Sequence, residues 1–472
     1  MMFSILFKTK IKEGMEIKTD SLKIRKARRI NLELLFSQHR EECNDCVWNY
    51  NCYLLKLARE YKVKINKYSD RKSKYPVYNF GPSLIFDSSK CIDCRNCIEA
   101  CKVDFLEIRG KGHLFKVLPS KKKKCIYCGQ CIVHCPAGAF EGAGEFEETE
   151  KPFIQKKRPL FFQIAPSIRA SIEMEKIVGA LKEMGADKVF DVCVGADITT
   201  IEEAKELIER LESGKNLPLL TSCCPSWVRF VEAYRPDLVS NLTSVRSPHM
   251  ILGGIIKEYF SKEDPFLVSV MPCVAKKYEI TRKELEINGK KPVDYVITTR
   301  ELFSLIKKKK INLEKVSSTK ADNPFGNPSG AGIIYGASGG VMESALRTVL
   351  GKKIEIKKEE SEGVKELEIK AKGKKIKAAI VYGIDNFQKI DLKKYHYVEV
   401  MACPNGCIGG GGQIMPTDKK TRRKRILKLY NIDRKKKVRI ADESSEAKKI
   451  YKEILKDEKK IEEVCHTSYK RQ

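Results

Sequence analysis

The chain lacks any apolar run approaching the ~20 residues that would cross a bilayer, so a membrane span is excluded. Its start, Met1 to Phe7, has neither a basic stretch ahead of a short apolar one nor a small-residue cleavage site nearby, a poor signal peptide. Without a secretory signal a disulfide framework is not expected, and a reducing cytoplasm is the expected location. The glycine clusters Gly330-Ala-Gly332 and Gly409–Gly412 do not follow the strand–loop–helix order that a dinucleotide site requires. The lysine runs Lys121–Lys124, Lys307–Lys310 and Lys435–Lys437 are scattered, with no aromatic stacking motif interleaved, which argues against nucleic acid.

What the chain has is length, basic charge and cysteine. At roughly 100–200 residues per domain, its 472 residues make two to four domains. Apolar residues at 42% and aromatics at 8% exclude a disordered or fibrous protein. Lys and Arg number 91 against 62 Asp and Glu, a formal net charge of +29. Thiolates on metal lower that figure, and the remaining basic surface suits an acidic protein partner. The 18 cysteines are too many to be incidental.

Three cysteine blocks divide the chain. Residues 1–80 read as a helical segment, with apolar positions at helical spacing over Leu22–Leu35 and Tyr53–Tyr61. Residues 81–150 are short strands and turns round eight cysteines, and 145–158 is a charged linker. From 157 to 430 strands and helices alternate, the pattern of an α/β unit with largely parallel strands. Strands are expected at Leu160–Ala165, Lys188–Val194, Leu217–Leu220, Phe266–Val270, Tyr295–Thr298, Lys377–Tyr382 and Tyr397–Met401, and helices at Ile168–Met184 and Ile198–Leu211. Residues 431–472 close the chain as a basic helical segment, within a tail that is basic from Lys419. The fold class is multidomain α+β and α/β.

His39, Cys43, Cys46 and Cys52 form H-x3-C-x2-C-x5-C, a spacing that suits one [4Fe–4S] cluster and equally permits zinc. Cys91, Cys94, Cys97 and Cys101 form C-x2-C-x2-C-x3-C, and Cys125, Cys128, Cys131 and Cys135 repeat it, followed by Pro136. This is the two-cluster ferredoxin run, in which the fourth cysteine of each copy serves the other cube. One cube is therefore assigned Cys91, Cys94, Cys97 and Cys135, the other Cys125, Cys128, Cys131 and Cys101. Lys102 stands where the motif prefers proline, outside the ligand set.

The third block is dispersed: Thr221-Ser-Cys-Cys-Pro-Ser-Trp227, Met271-Pro-Cys-Val-Ala-Lys-Lys-Tyr-Glu279 and Glu399-Val-Met-Ala-Cys-Pro-Asn-Gly-Cys407, running on into Gly409–Gly412. Each follows an apolar strand, and α/β sites form beyond the carboxyl ends of strands. Cys223/Cys224, Cys273 and Cys403/Cys407 are thus expected at one buried site, with the glycine run allowing backbone to approach something bulky. Cys193 reads as a core residue of a strand, and Cys465 carries no motif.

These three motifs resemble the active-site signatures of the iron-only, or [FeFe], hydrogenases, and the upstream blocks follow that family's accessory-cluster order. The resemblance implies two α/β lobes with an H-cluster between them, made of a [4Fe–4S] cube on Cys224, Cys273, Cys403 and Cys407. Cys407 would bridge to a diiron subsite carrying CO, cyanide and a dithiolate. Lys276 would donate to one cyanide, and Ala165, Pro166 and Ser167 would line the other. Met271, Met401 and Tyr335 would pack round the diiron end. Tyr335 stands where the family often has phenylalanine, so its hydroxyl needs a partner or water, and His249 stands where an amide is commoner, a departure at one pocket contact.

By the same resemblance Cys223 is the proton donor beside the open iron, with a relay running outward through Glu206, Thr243 and Glu203. Glu203 and Glu206 lie three apart and share a helix face. Three accessory [4Fe–4S] clusters would carry electrons to a ferredoxin or another iron–sulfur subunit. H2 and protons would be the substrates, and maturation proteins would build the subsite. Residues 1–38 hold no cysteine, so the family's N-terminal [2Fe–2S] domain is not expected. An H2 sensor, an iron–sulfur assembly factor and a pure electron-transfer subunit are disfavoured. The first tends to lose Cys223, the second lacks the complete signatures, and the third leaves residues 157–415 unexplained.

Overall fold

The computed structural model describes residues 13–37, 52–64, 67–68, 76–109, 116–144, 153, 158–356, 363–371 and 373–470. His39, Cys43 and Cys46, with most of the linker, lie outside the described residues. Helix α1 (Leu22–Phe36) starts at Ser21, whose hydroxyl accepts from the Ile24 amide. It packs Leu32 and Phe36 onto Leu54 and Ala58 of α2 (Tyr53–Glu60), the helix that Cys52 opens.

The second cysteine block sits on small antiparallel elements. Strands β1 (Val77–Phe80), β2 (Leu84–Asp87) and β5 (Phe140–Gly142) form one sheet, and β3 (Leu106–Arg109) pairs with β4 (Lys116–Pro119). Two short helices, α3 (Asn96–Glu99) and α4 (Gln130–His134), follow the cysteine loops. Phe86 stacks on Phe140 with ring centroids 4.4 Å apart, supplying the apolar mass that so small a unit needs. The β1–β2 hairpin spans the expected division at residue 80.

Two four-stranded sheets follow. The first, ordered β10-β9-β6-β7, is wholly parallel: β6 (Leu160–Ile164), β7 (Lys188–Asp191), β9 (Phe266–Met271) and β10 (Tyr295–Thr298). All five β6 residues are buried, as a strand covered on both faces requires. The second is ordered β11-β12-β13-β8: β8 (Leu219–Leu220), β11 (Gly363–Ala371), β12 (Lys374–Tyr382) and β13 (Tyr397–Met401), with β11 antiparallel at the edge. Strand β11 was not anticipated, because four of its nine residues are charged, as suits an exposed edge.

Three expectations are corrected. The strand expected over Lys188–Val194 stops at Asp191, whose carboxylate accepts from the Cys193 amide at 3.0 Å and caps the helix Val192–Ser213. Cys193 is therefore helical, though still fully buried. The helix expected over Ile168–Met184 is a 3-10 turn, Pro166–Ala170, followed by a helix Met174–Glu183. Finally, the division expected at residue 430 falls inside a continuous helix, Lys419–Lys435.

Candidate active site and cluster sites

The two ferredoxin loops gather their thiols as the repeat requires. Burial, with Cys135, Cys91 and Cys94 crowding beside it, pushes the Cys97 thiol up to about 12. Burial also leads at Cys125, pushed up to about 12, where Cys128 and Cys101 are the neighbouring thiols. Backbone amides point at the sulfurs: Asp93 N to Cys91 Sγ at 3.4 Å, Phe105 N to Cys101 at 3.3 Å, Tyr127 N to Cys125 at 3.4 Å and Ala139 N to Cys135 at 3.3 Å. Asp93 and Tyr127 adopt positive φ, which turns those amides inward. Donors of this kind favour thiolate and fit a cube. Among the described residues no three His, Cys, Asp or Glu side chains close round a single metal ion.

The dispersed cysteines converge because four parallel strands end at one place. Strand β6 delivers Ala165, Pro166 and Ser167; β9 delivers Met271 and Cys273; β8 delivers Cys223 and Cys224; β13 delivers Met401, Cys403 and Cys407. Burial leads the upward shift of Cys273, with Cys224 and Cys407 next to it, and the Cys403 thiol likewise faces Cys273, Cys224 and Cys407. Cys128 is also a neighbour of Cys403, whose Sγ lies 3.6 Å from the Cys128 carbonyl oxygen. The second ferredoxin set thus abuts this third set. The glycine run makes the approach feasible: a Cβ on Gly411 would stand 2.7 Å from Gly129 Cα, and one on Gly410 would stand 2.3 Å from Pro272 O. What the run admits is backbone of the neighbouring loops.

Beside the third set lies a cavity with about 520 Å³ of empty space. Ala165, Pro166, Ser167, Met271, Tyr335 and Met401 line it, with Cys223, Lys276 and His249 at its polar edge. The Ser167 hydroxyl is buried with no hydrogen-bond partner, an orphaned donor beside the cavity. Lys276 Nζ donates to Glu279 at 2.7 Å and to Ser247 Oγ at 2.9 Å. His249 Nε2 meets Glu279 at 2.6 Å and its Nδ1 meets Ser269 Oγ at 3.2 Å. Burial acts against the Glu279 charge, but Lys276 and His249 outweigh it and hold the carboxyl at about 2. Tyr335 OH finds Thr200 Oγ1 at 2.7 Å. Both unusual polar groups are therefore partnered. Glu279 and Ser247 carried no assigned role in the sequence reading. Glu279 lies in a quoted motif at i+3 from Lys276, a spacing that places the two on one helix face.

Cys223 is not among the four gathered thiols but faces the cavity. Burial leads the rise of its thiol, and Glu203 is the next cause. Glu203 is deeply buried and accepts from the Tyr397 hydroxyl; its other oxygen has no partner. Burial, opposed by Tyr397 and reinforced by Glu206 and Glu399, raises its carboxyl to about 8. Thr243 Oγ1 donates to Glu206 at 2.5 Å, and Arg210 pairs with Glu206 at 2.5 Å. Glu206 opens onto a surface cleft. The outward order expected from sequence is thus reversed. Glu203 lies innermost and Glu206 outermost, because the helix runs from the buried interior towards its solvent end.

Three thiol sets in line, ending at a largely apolar cavity with a thiol and buried carboxylates on one side, define an iron–sulfur oxidoreductase. In it electrons, protons and a small apolar molecule meet at one centre. Comparison with known proteins narrows this class. Residues 158–411 match the iron-only hydrogenase large subunit, C-terminal domain, and 90–150 the 4Fe-4S dicluster domain. Residues 419–472 match the iron hydrogenase small subunit, and 28–67 the NADH-ubiquinone oxidoreductase-G iron-sulfur binding region. Iron hydrogenase 1 of Clostridium pasteurianum is 35% identical over 98% of this chain and 89% of its own length. The NADP-reducing hydrogenase subunit HndD of Solidesulfovibrio fructosivorans is 34% identical over 98% and 87%. The apo [FeFe]-hydrogenase HydA1 structure from Chlamydomonas reinhardtii superposes with a TM-score of 0.61 at 30% identity, covering 70% of this chain and 99% of that one. The chain belongs to the iron-only hydrogenases, enzymes of H2 oxidation and proton reduction that carry an H-cluster and [4Fe–4S] clusters. Among the described residues no helix is long and apolar enough to cross a membrane.

Proposed function

We propose that Cys224, Cys273, Cys403 and Cys407 would hold the cube of the H-cluster, with Cys407 the ligand on its diiron side. When bound, this group supplies the open metal site at which H2 is formed or split. Supporting the reading, Cys273 and Cys407 line the cavity together with every pocket residue expected from the motifs, Ala165, Pro166, Ser167, Met271, Tyr335, Met401 and Lys276, and Cys224 and Cys403 lie next to those two thiols. Lys276, oriented by Glu279 and Ser247, and the orphaned Ser167 hydroxyl would supply hydrogen-bond donors to the cyanides of that group. The methionines and the cavity walls exclude water.

Protons pass between Cys223 Sγ and solvent by way of Glu203, Thr243 and Glu206. Glu203, with its carboxyl raised to about 8, holds a proton at neutral pH and so takes part in both directions. Three accessory [4Fe–4S] clusters would supply the electron path: Cys125, Cys128, Cys131 and Cys101 would hold one, Cys91, Cys94, Cys97 and Cys135 a second, and His39, Cys43, Cys46 and Cys52 a third. The acceptor is a ferredoxin or another iron–sulfur subunit in the cytoplasm. Maturation proteins insert the subsite. The four-unit organisation is retained, with limits near 76 and 418 so that the hairpin and the helix stay whole.

The observation that carries the reading is the convergence of four strand ends on one cavity. Its test is infrared spectroscopy of anaerobically matured protein with iron and sulfide analysis. The expected result is iron-bound CO and cyanide bands, with about sixteen irons in cubes and about two in the subsite. Absent bands after maturation, or iron for only two cubes in all, would refute it.

A further inference from the structure

The relay as read so far ends at Glu206, yet the structure continues the hydrogen-bonded path. Ser244 Oγ lies 3.2 Å from Glu206 Oε2, and the same hydroxyl lies 2.8 Å from Nδ1 of His466, a residue 222 positions away. The other ring nitrogen, Nε2, lies 3.4 Å from Glu202 Oε2. His466 follows the helix Glu458–Cys465 and is fixed by backbone pairing rather than by its ring. It bridges Val245 in antiparallel fashion, Arg246 N donates to Cys465 O at 2.7 Å, and Thr467 N donates to Ser244 O at 2.8 Å. The C-terminal segment is thereby zipped onto the strip that carries Thr243 and Ser244.

We propose that His466 is the outer proton-exchanging group of this relay, linked to Glu206 through the Ser244 hydroxyl. This rests on the relay reading above. In the outward direction the Ser244 hydroxyl gives its proton to Nδ1 of His466 as it takes the carboxyl proton of Glu206. The imidazolium then releases a proton from Nε2, towards Glu202 and the cleft, and the inward direction is the reverse. No electron moves, and each proton given is replaced. Glu206 is already bound by Arg210, Thr243 and the Ser244 amide, whereas His466 stands where the path opens on a cleft with about 1240 Å³ of empty space. An imidazole there can both take and give a proton, where bulk water is a poor proton source.

The charges facing the ring come from three elements. The long helix presents Glu202, Lys205 and Glu206, and Lys205 Nζ bonds Glu202 at 2.8 Å. The helix Ser445–Glu453 brings the Tyr451 hydroxyl onto Glu202. Arg246 Nε holds the His466 carbonyl at 2.7 Å, and the ring's own helix adds Glu462. Burial pulls the imidazole down, but the hydrogen bond and charge of Glu202, then Glu462 and Glu206, outweigh it and leave His466 above its ordinary value.

The test uses the full-length matured enzyme with its infrared bands recorded. His466→Asn leaves the backbone zipper intact and keeps an acceptor for Ser244 but cannot titrate. It is expected to cut H2 evolution about tenfold at about pH 8, less than the hundredfold or more of a group that meets the reacting atoms. The CO and cyanide bands should be unchanged, and added imidazole should restore the rate in His466→Ala. Ser244→Ala, which cuts the link and keeps the ring, should lose as much and resist imidazole. A wild-type pH profile in His466→Asn, or loss without imidazole rescue in His466→Ala, overturns the proposal. Glu203→Gln run alongside separates the two readings. If it abolishes turnover while His466→Asn is normal, only the outer group is wrong. If it turns over normally, the relay and its extension both fall.

Discussion

Two buried charged networks in this molecule look alike in composition and differ in completeness. One joins Arg347, Glu343, Asp433 and Arg439, with Tyr430 added. Asp433 receives both guanidinium groups, Glu343 receives Arg347, Tyr430 and the Ile356 amide, and Arg347 also bonds the Ile354 and Arg439 carbonyls. It clamps the helix Lys419–Lys435 to the catalytic unit, and its charges are all answered by protein groups. The other runs round the cavity through Lys276, Glu279, His249, Ser167, Cys223 and Glu203, where Ser167 Oγ and one Glu203 oxygen have no partner. Burying polar groups costs free energy in both places. The first network recovers that cost inside the fold, whereas the second leaves donors and acceptors aimed at something the chain does not itself supply. Completeness separates architecture from site.

The comparison breaks if disrupting the complete network harms chemistry first, or if disrupting the incomplete one harms stability first. The largest effect is expected at Cys223. Cys223→Ala should lower H2 evolution by about 10²–10⁴-fold, with melting temperature and infrared bands near wild type, since all four cube ligands remain. Cys224→Ala should instead lose those bands. Next in size is Asp433→Ala, which leaves the buried Arg347 with Glu343 alone and Arg439 with only Glu355, 3.9 Å away. A loss of about 3–5 kcal/mol should show in denaturant melts, together with faster amide exchange in the Lys419–Lys435 helix. Unchanged stability would dissolve the distinction.

A smaller effect is expected at Glu279. Glu279→Gln keeps a hydrogen-bond partner for Lys276 and His249 but removes the charge, at a stability cost of about 1–3 kcal/mol. The cyanide bands should shift as Lys276 relaxes, and unshifted bands would mean that Lys276 is not positioned by Glu279. The last test is a pH slope. The Glu203 carboxyl rises from 4.5 to about 8 on folding, so the folded state binds its proton more tightly. That stability is present below about pH 4.5 and is lost as pH rises towards 8. Glu203→Gln should flatten stability across this window while wild type declines, as measured by denaturant midpoints at each pH.

The sequence was most informative where chemistry is local. Cube ligation is written in spacings of two and three residues, because a short loop must wrap one cube face. The dispersed cysteines were placed by the rule that sites form at strand ends, a topological regularity. Glu203 and Glu206 were paired by helical periodicity. But a spacing of three says only that two residues share a face, never which end of the helix is buried, so their order came out reversed. Val192 to Val194 were read into the strand because the helix start depends on the cap that Asp191 provides, which the apolar pattern does not show.

Other features had no local trace at all. The Arg347–Asp433 clamp joins residues 86 positions apart, and Ser244 meets His466 across 222. Nothing in the neighbourhood of any of these residues marks it, since each partnership is a matter of which surfaces the fold lays together. The sequence by itself determined the metals, the cavity's chemical character and the family, because ligand type and spacing are covalent facts of the chain. Only the tertiary structure decided the inside-to-outside order of Glu203, Thr243 and Glu206, the contact of Cys128 with Cys403, and the meeting of Ser244 with His466. Those depend on distances through space, and chain length sets no bound on how closely two distant residues are packed.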